Sequence, residues 1–299
     1  MPQRNFIHTL TALLQAMRPL QWVKNGVLFA ALVFDRQLGL THLPALARTA
    51  AGFAIFCLLS GVVYIINDIA DVEQDRLHPE KRRRPIASGR LPVPVAVIAA
   101  AALLVVLLPV SYVLSPAFAV VALIYFLQNL AYSKWIKHLA ILDVFSIAAG
   151  FVLRVAAGVT LIHVERFSPW LYVVTMLGSL YIGFGKRRAE LAQMAGSGSN
   201  TRKVLSGYSL PMLDQYITIV SSTTVIAYSL YTFLAPNVPE NHAMMLTIPF
   251  VIYGIFRYLY LVQMHGRGGA PEEILIHDRP LQATVLIWGL TVLVIFYFY

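Results

Sequence analysis

The residues best equipped for chemistry lie between Asn67 and Arg90, in the run NDIADVEQDRLHPEKRRRPIASGR. Asp68, Asp71 and Asp75 fall at i, i+3 and i+7. If the apolar helix before them continues, this spacing puts all three on one face with Asn67 beside them. Mg2+ takes oxygen ligands, keeps several waters and is usually held by one or two carboxylates together with a substrate phosphate. Asn67, Asp68, Asp71 and Asp75 are therefore candidate metal ligands; a solvated helix end at the lipid headgroups is the alternative. Directly downstream stand Arg76, His78, Lys81, Arg82, Arg83, Arg84 and Arg90. Oxygen ligands beside guanidiniums suit a diphosphate or a phosphosugar. A topogenic basic loop would explain Arg82 and Arg83 alone.

Three further groups carry chemistry. Tyr132-Ser133-Lys134 is followed by Lys137, His138 and Asp143. Arg154 is a guanidinium inside an apolar run, which costs a few kcal/mol on insertion scales and calls for a partner or a wet cavity. Asp143 lies about three helical turns away and could line one cavity with it, or form a structural ion pair. Gly183-Phe184-Gly185-Lys186-Arg187-Arg188-Ala189-Glu190 follows Tyr181-Ile182 much as the Asn67 stretch follows Tyr64-Ile65, a weak internal echo. Gln21-Trp22-Val23-Lys24-Asn25, Tyr208 to Asp214, and Glu272, Glu273, His277, Asp278 and Arg279 open other apolar segments; interfacial anchoring accounts for Trp22 and Tyr208 as well as catalysis does. The eight His show no metal-ligand spacing, and nucleophile elbow, Walker A and dinucleotide fingerprints are missing.

The elements that must position these groups are membrane helices. Of 299 residues, 58% are hydrophobic and only 12% charged, with mean hydropathy +0.69; soluble domains carry about 25% charged residues. The composition predicts an all-α integral membrane protein, a single polytopic domain over 1–299. Apolar runs near 22–36, 48–67, 93–113, 117–135, 139–161, 169–185, 216–235, 245–263 and 280–299 predict about nine spans. Residues 3–18 read as an amphipathic helix on the membrane surface or an early turn of the first span, so 1–20 form an interfacial segment before the bundle of 21–299. With the N-terminus and the loops after even-numbered spans on one side, the other keeps only Arg36, Arg48 and Arg166, while Arg154 and Arg257 lie within spans. The positive-inside rule makes the crowded side, with loops 68–92 and 186–214, cytoplasmic and leaves Tyr299 outside. The longer loop carries Gly196-Ser197-Gly198-Ser199-Asn200 and reads as a lid or a plain linker. The +9 charge sits in these loops, which fits a lipid bilayer and anionic substrates and argues against nucleic acid. A single Cys57 excludes an intrachain disulfide or a cysteine metal cluster.

Asn67-Asp68-x-x-Asp71-x-x-x-Asp75-Arg76 followed by Arg84-Pro85-Ile86-Ala87-Ser88-Gly89 resembles the first aspartate-rich motif of the UbiA-type prenyltransferase superfamily. That resemblance implies a nine-helix membrane enzyme binding a diphosphate substrate through Mg2+. Arg18-Pro19-x-Gln21-Trp22-x-Lys24-Asn25, His78-Pro79-x-Lys81, Asp143-Val144, Gly150-Phe151-Val152-Leu153-Arg154, Gly185-Lys186-Arg187-x-x-Glu190 and Asp278-Arg279-Pro280 are similar to the decaprenyl-phosphate phosphoribosyltransferase branch. Membership there implies transfer of 5-phosphoribose from phosphoribosyl diphosphate to a polyprenyl phosphate, toward a lipid-linked arabinose donor for cell-envelope polysaccharide, in a bacterial cytoplasmic membrane. Aromatic prenyltransferases of the superfamily carry a second pair of Asp after helix six; here Lys186, Arg187, Arg188 and Glu190 stand in that place. The expected site is then Asp68, Asp71, Asp75 and Lys134 for catalysis, with Lys24, Asn67, Arg76, Lys81, Arg84, Tyr132, Asp143, Arg154, Lys186, Arg187 and Glu190 binding substrate. Transfer of an isoprenyl chain to a quinone precursor such as 4-hydroxybenzoate is the alternative, and a homo-oligomer is compatible with either.

Overall fold

The computed structural model describes residues 6–164, 168–197, 203–265, 274 and 277–298, and every described element is helical. In chain order these are α1 (Phe6–Ala16), a 3-10 helix (Pro19–Phe29) running into α2 (Ala30–Phe34), α3 (Leu43–Ala70), α4 (Val72–Leu77), α5 (Val93–Leu114), α6 (Pro116–Lys134), α7 (Leu142–Val159), α8 (Trp170–Ser197), α9 (Leu210–Leu234), α10 (Ile248–His265) and α11 (Arg279–Phe298). Seven helical stretches among the described residues are long and apolar enough to cross a bilayer: α3, α5, α6, α7, α9, Ala243–Met264 and α11. Nine spans are therefore not confirmed, and two of the expected runs take a different form. Residues 22–36 form no α-helical span, and 169–185 belong to a longer helix that runs through four charged residues.

The first difference has a visible cause. A 3-10 helix has three residues per turn, so residues three apart eclipse. Asn25 and Leu28 are fully buried, and Trp22 packs against the same core. Trp22, Asn25 and Leu28 are spaced by three, and the tighter winding keeps all of them on the core side. The second cause is propensity. Lys, Arg, Ala, Glu and Leu are good helix formers, so α8 continues past Lys186 to Ser197 instead of opening into a loop. The expected 186–214 loop is thus shortened at its start, and a 3-10 turn at Lys203–Gly207 precedes α9. The Gly198–Asn200 tip, Arg4, Arg166, Arg202, Arg267, Glu272, Glu273 and Tyr299 lie outside the described residues.

The chain divides into two compact units. The first comprises residues up to Leu32, Gly39–Ser133 and Leu153–His163. Here α3 packs on α5, on α1 and on the 3-10 helix, around a core of Phe56, Leu59, Ile65, Leu91, Phe118 and Tyr125. In α1, Ala12 and Ala16 join that core while Ile7, Leu10 and Leu14 face outward, as an interfacial helix requires. The second unit comprises Val33–Leu38, Lys134–Val152 and the described residues from Val164 onward. It pairs α8 with α9 and α10 with α8, α9 and α11. Its α8 approaches α7 and α10 closely: a Cβ on Gly183 would lie 2.6 Å from Val144 Cγ1, and one on Gly185 2.9 Å from the Tyr258 ring. Gly183 and Gly185 thus let α8 approach its neighbours. Outward faces of the spans are apolar, with Val105, Val106 and Val113 of α5 exposed as lipid contact demands.

Candidate functional site

The acidic stretch forms at the end of α3, in the first unit. The helix ends at Ala70, Asp71 leaves helical geometry at φ −99°, ψ 9°, and α4 restarts at Val72. The break is local, because the N–H of Asp71 still donates to Asn67 O (3.0 Å) and that of Asp75 to Asp71 O (2.8 Å). Asp68 and Asp75 are 2% and 3% exposed, and both reach one guanidinium nitrogen: Arg84 Nη1 donates to Asp75 Oδ2 (2.6 Å) and to Asp68 Oδ1 (3.2 Å). Arg18 Nη2 donates to the same Asp68 oxygen at 2.5 Å. Two buried carboxylates thus face two guanidiniums.

The loop that delivers Arg84 is built by its neighbours. His78 Nδ1 accepts from the N–H groups of Glu80 and Lys81, shaping the 3-10 turn Lys81–Arg83. Ile86, Ala87 and Leu91 are buried, the N–H of Leu91 donates to Pro85 O at 2.8 Å, and Gly89 takes φ +72°, where other residues pay a steric cost. The Pro85–Gly89 motif is therefore an anchor that holds Arg84 over the acids. Arg76 is exposed and pairs with Glu73 at 2.7 Å; Lys81 and Tyr132 are half-buried and Lys134 is exposed, its ammonium 4.9 Å from the Trp135 ring centre.

Among the described residues no three His, Cys, Asp or Glu side chains converge as a ready metal-ligating group. The donor set nevertheless suits a hard cation. Asn67 Oδ1 is buried and has no hydrogen-bond partner among the described residues, which is costly for a carbonyl oxygen unless something binds it. Asp68, Asp71 and Asp75 follow it in the chain, and their carboxylates are oxygen donors of the kind Mg2+ takes.

Arg154, in the first unit, donates to Asn25 Oδ1 and to Tyr125 Oη, both at 2.8 Å, with its guanidinium over the Tyr125 ring. Asn25 in turn donates to Ser60 Oγ at 3.3 Å. The buried guanidinium therefore fastens the 3-10 helix that carries Lys24 to α6 and α3. Lys24 itself is half-buried.

In the second unit, Asp143 (0% exposed) is bound by Arg187 (1% exposed), Nε to Oδ2 at 2.6 Å. Arg187 Nη1 also donates to Glu190 at 2.6 Å, and the Tyr208 hydroxyl donates to Asp143 Oδ1 at 2.6 Å. Tyr208 accepts the N–H of Ile141, a β-branched residue held at φ +71°. Burial first, and then the hydrogen bond to Asp143, push the Tyr208 hydroxyl well above the usual tyrosine range, so it stays a donor. Arg187 is thus enclosed by two carboxylates and orients them, whereas Lys186 is only half-buried. Arg188 pairs with Asp214 at 2.5 Å. Asp278 caps α11 through Leu281 N–H (2.9 Å) and binds Arg257. Sequence reasoning did not assign Arg18, Asn25, Tyr125 or Tyr208 to these networks. Arg18 and Asn25 did stand in a motif of the resemblance, which was the available signal. Trp22 donates to Met17 O at 3.1 Å, and Tyr208 is buried.

A multi-pass, all-α membrane protein with a carboxylate–arginine cluster at the end of a long span defines the class. A solved UbiA homolog from Archaeoglobus fulgidus, bound to DMAPP and Mg2+, superimposes with TM-score 0.71 at 18% identity, covering 95% of this chain and 98% of that one. The chain belongs to the UbiA prenyltransferase family, whose model matches residues 27–272, and it is a transferase. The decaprenyl-phosphate phosphoribosyltransferase of Mycolicibacterium smegmatis is 35% identical over 99% of this chain and 95% of the relative. That of Corynebacterium glutamicum is 34% identical over 92% of this chain and 84% of the relative.

Proposed function

We propose that this membrane transferase moves 5-phosphoribose from phosphoribosyl diphosphate to a polyprenyl phosphate and releases diphosphate, toward a lipid-linked arabinose donor. The observation that carries the reading is the state of the acids around α8. Asp143 and Glu190 are engaged by Arg187, and Asp214 by Arg188. A second metal–diphosphate site of the aromatic type would need a pair of Asp at this end of α8, where Lys186, Arg187 and Arg188 stand instead. The curated relatives named above favour the same reading.

Asn67, Asp68, Asp71 and Asp75 would hold Mg2+, with Asn67 Oδ1 as the otherwise unpartnered donor. When bound, Mg2+ neutralises the charge that builds on a departing diphosphate. Arg84 and Lys81 bind diphosphate oxygens as the C1–O bond of the ribose breaks and the sugar passes through an oxocarbenium-like state. A phosphate oxygen of the lipid then attacks C1. That nucleophile is already anionic, because a phosphate monoester has a second pKa of about 6, so no general base is required. Lys134, with Tyr132 near it in sequence, is a candidate clamp for a phosphate, as is Lys186. Lys24 and Arg76 are candidates for the donor. Asp143, Arg154, Arg187 and Glu190 serve by fixing the elements that carry these groups. The lipid chain lies against the apolar helix faces, open to the bilayer. Charge placement favours the N-terminus and the site on the cytoplasmic side, and the bacterial relatives favour a bacterial cytoplasmic membrane. The test supplies detergent-solubilised protein with Mg2+, phosphoribosyl diphosphate labelled in the ribose and polyprenyl phosphate. Label should move to the lipid phase; retention of all label in water would reject the reading.

A further inference from the structure

Among the described residues, Arg18 is the guanidinium that the N-terminal segment brings to the acidic cluster. Its Nη2 lies 2.5 Å from Asp68 Oδ1, the oxygen that also accepts from Arg84. The same guanidinium sits over the Tyr64 ring, 4.6 Å from its centre, one helical turn before Asp68. Its backbone takes φ +52°, ψ 67° at the junction between α1 and the 3-10 helix. Such a conformation is uncommon for a residue with a Cβ and persists where the surroundings over-determine it. The side chain is 31% exposed whereas its partner Asp68 is 3% exposed, so Arg18 can withdraw toward solvent and Asp68 cannot.

Resting on the metal reading above, we propose that Arg18 is the resident counter-ion of the metal-free site and competes with the divalent cation for Asp68. The charges match such an exchange. Asp68 and Asp75 bring two negative charges, and Arg18 and Arg84 bring two positive ones. A divalent cation supplies the same two positive charges to the carboxylates. Both guanidiniums are then freed to face the anionic groups that enter with the metal. While it is absent, they spare Asp68 and Asp75 the cost of lying buried as bare charges. Tyr64 gives Arg18 a second seat, so the released side chain keeps a cation–π partner close to the site.

The test titrates Mn2+ into purified, substrate-free protein and follows free Mn2+ by electron paramagnetic resonance. Arg18→Gln should bind Mn2+ about tenfold or more tightly than wild type, the scale expected when a charge-assisted hydrogen bond no longer competes. Arg18→Lys should fall between them, and Arg48→Gln, a distant exposed arginine bonded to Leu114 O, should match wild type. Wild-type protein gives a second readout that no loss of folding can confuse. Trp22 donates to the carbonyl of Met17, next to Arg18, so Mg2+ should change tryptophan emission, and Trp22→Phe should abolish the change. Equal or weaker Mn2+ binding by a folded Arg18→Gln, or unchanged Trp22 emission in metal-loaded wild type, overturns the proposal while leaving the metal reading intact. Failure of both wild type and Arg18→Gln to bind Mn2+ overturns the metal reading and this proposal together.

Discussion

Arg187 offers the sharpest quantitative prediction. It is 1% exposed, its Nε is 2.6 Å from an Asp143 carboxylate that is fully buried, and its Nη1 is 2.6 Å from Glu190. Arg187→Met keeps the volume near constant and removes the charge, leaving the Asp143 carboxylate with the Tyr208 hydroxyl alone of the partners described above. Removing one member of a buried pair costs about 3–5 kcal/mol, most of it the price of the stranded charge. At the low end of about 2–4 °C per kcal/mol, appropriate for a long chain, Tm should fall by roughly 6–10 °C. The partner variant Asp143→Asn/Arg187→Met removes the stranded charge at Asp143, leaves only the part-exposed Glu190 without its arginine, and retains an amide that can still accept from Tyr208, so it should recover most of that loss. Thermal unfolding of both variants in one detergent, by intrinsic fluorescence, measures the difference. If Arg187→Met unfolds within about 2 °C of wild type, or if the double variant is no better than the single one, the buried network does not hold this unit together as argued.

Two further outcomes follow from the same geometry. Asp75→Ala removes a carboxylate proposed for the metal and leaves Arg84 on Asp68 alone; turnover should fall by about a hundredfold or more, with folding retained by circular dichroism, and chelation should silence wild type until Mg2+ is restored. Tyr208→Phe deletes the hydroxyl joining Ile141 to Asp143 and should cost about 1–3 kcal/mol. Because the folded state raises the Tyr208 pKa, the tyrosine contributes stability that is present below the unfolded value of about 10 and lost as pH rises above it. A Tm series from neutral to alkaline pH should therefore fall more steeply in wild type than in Tyr208→Phe.

Much of the site was legible because helical spacing and charge are local properties. Asp68 and Asp75 lie seven apart and both reach Arg84, as residues two turns apart on one face should. The nearby Pro85–Gly89 run carries its own turn chemistry, and apolar length alone marked the places of the long helices. What escaped the sequence depended on tertiary contact. The Arg18–Asp68 pair spans 50 positions and the Arg154–Asn25 bond 129, and no local pattern selects such partners. In the sequence Asp143 is the acid nearest to Arg154, yet its carboxylate pairs with Arg187, 44 positions away. The 3-10 winding of Pro19–Phe29 was missed because eleven apolar-rich residues read as a helix of either pitch. The three-residue spacing of Trp22, Asn25 and Leu28 was the clue, and it acquires meaning only once the core they face is known. The charged end of α8 was read as a loop, although its residues favour helix.

The account turns on which group the enzyme moves. The most direct measurement offers the purified protein, with Mg2+, both phosphoribosyl diphosphate with polyprenyl phosphate and a prenyl diphosphate with 4-hydroxybenzoate, and identifies the lipid products by mass spectrometry. The expected product is a polyprenyl phosphate lengthened by one 5-phosphoribosyl group, formed by wild type and lost in Asp75→Ala. A prenylated aromatic ring in its place would contradict this reading.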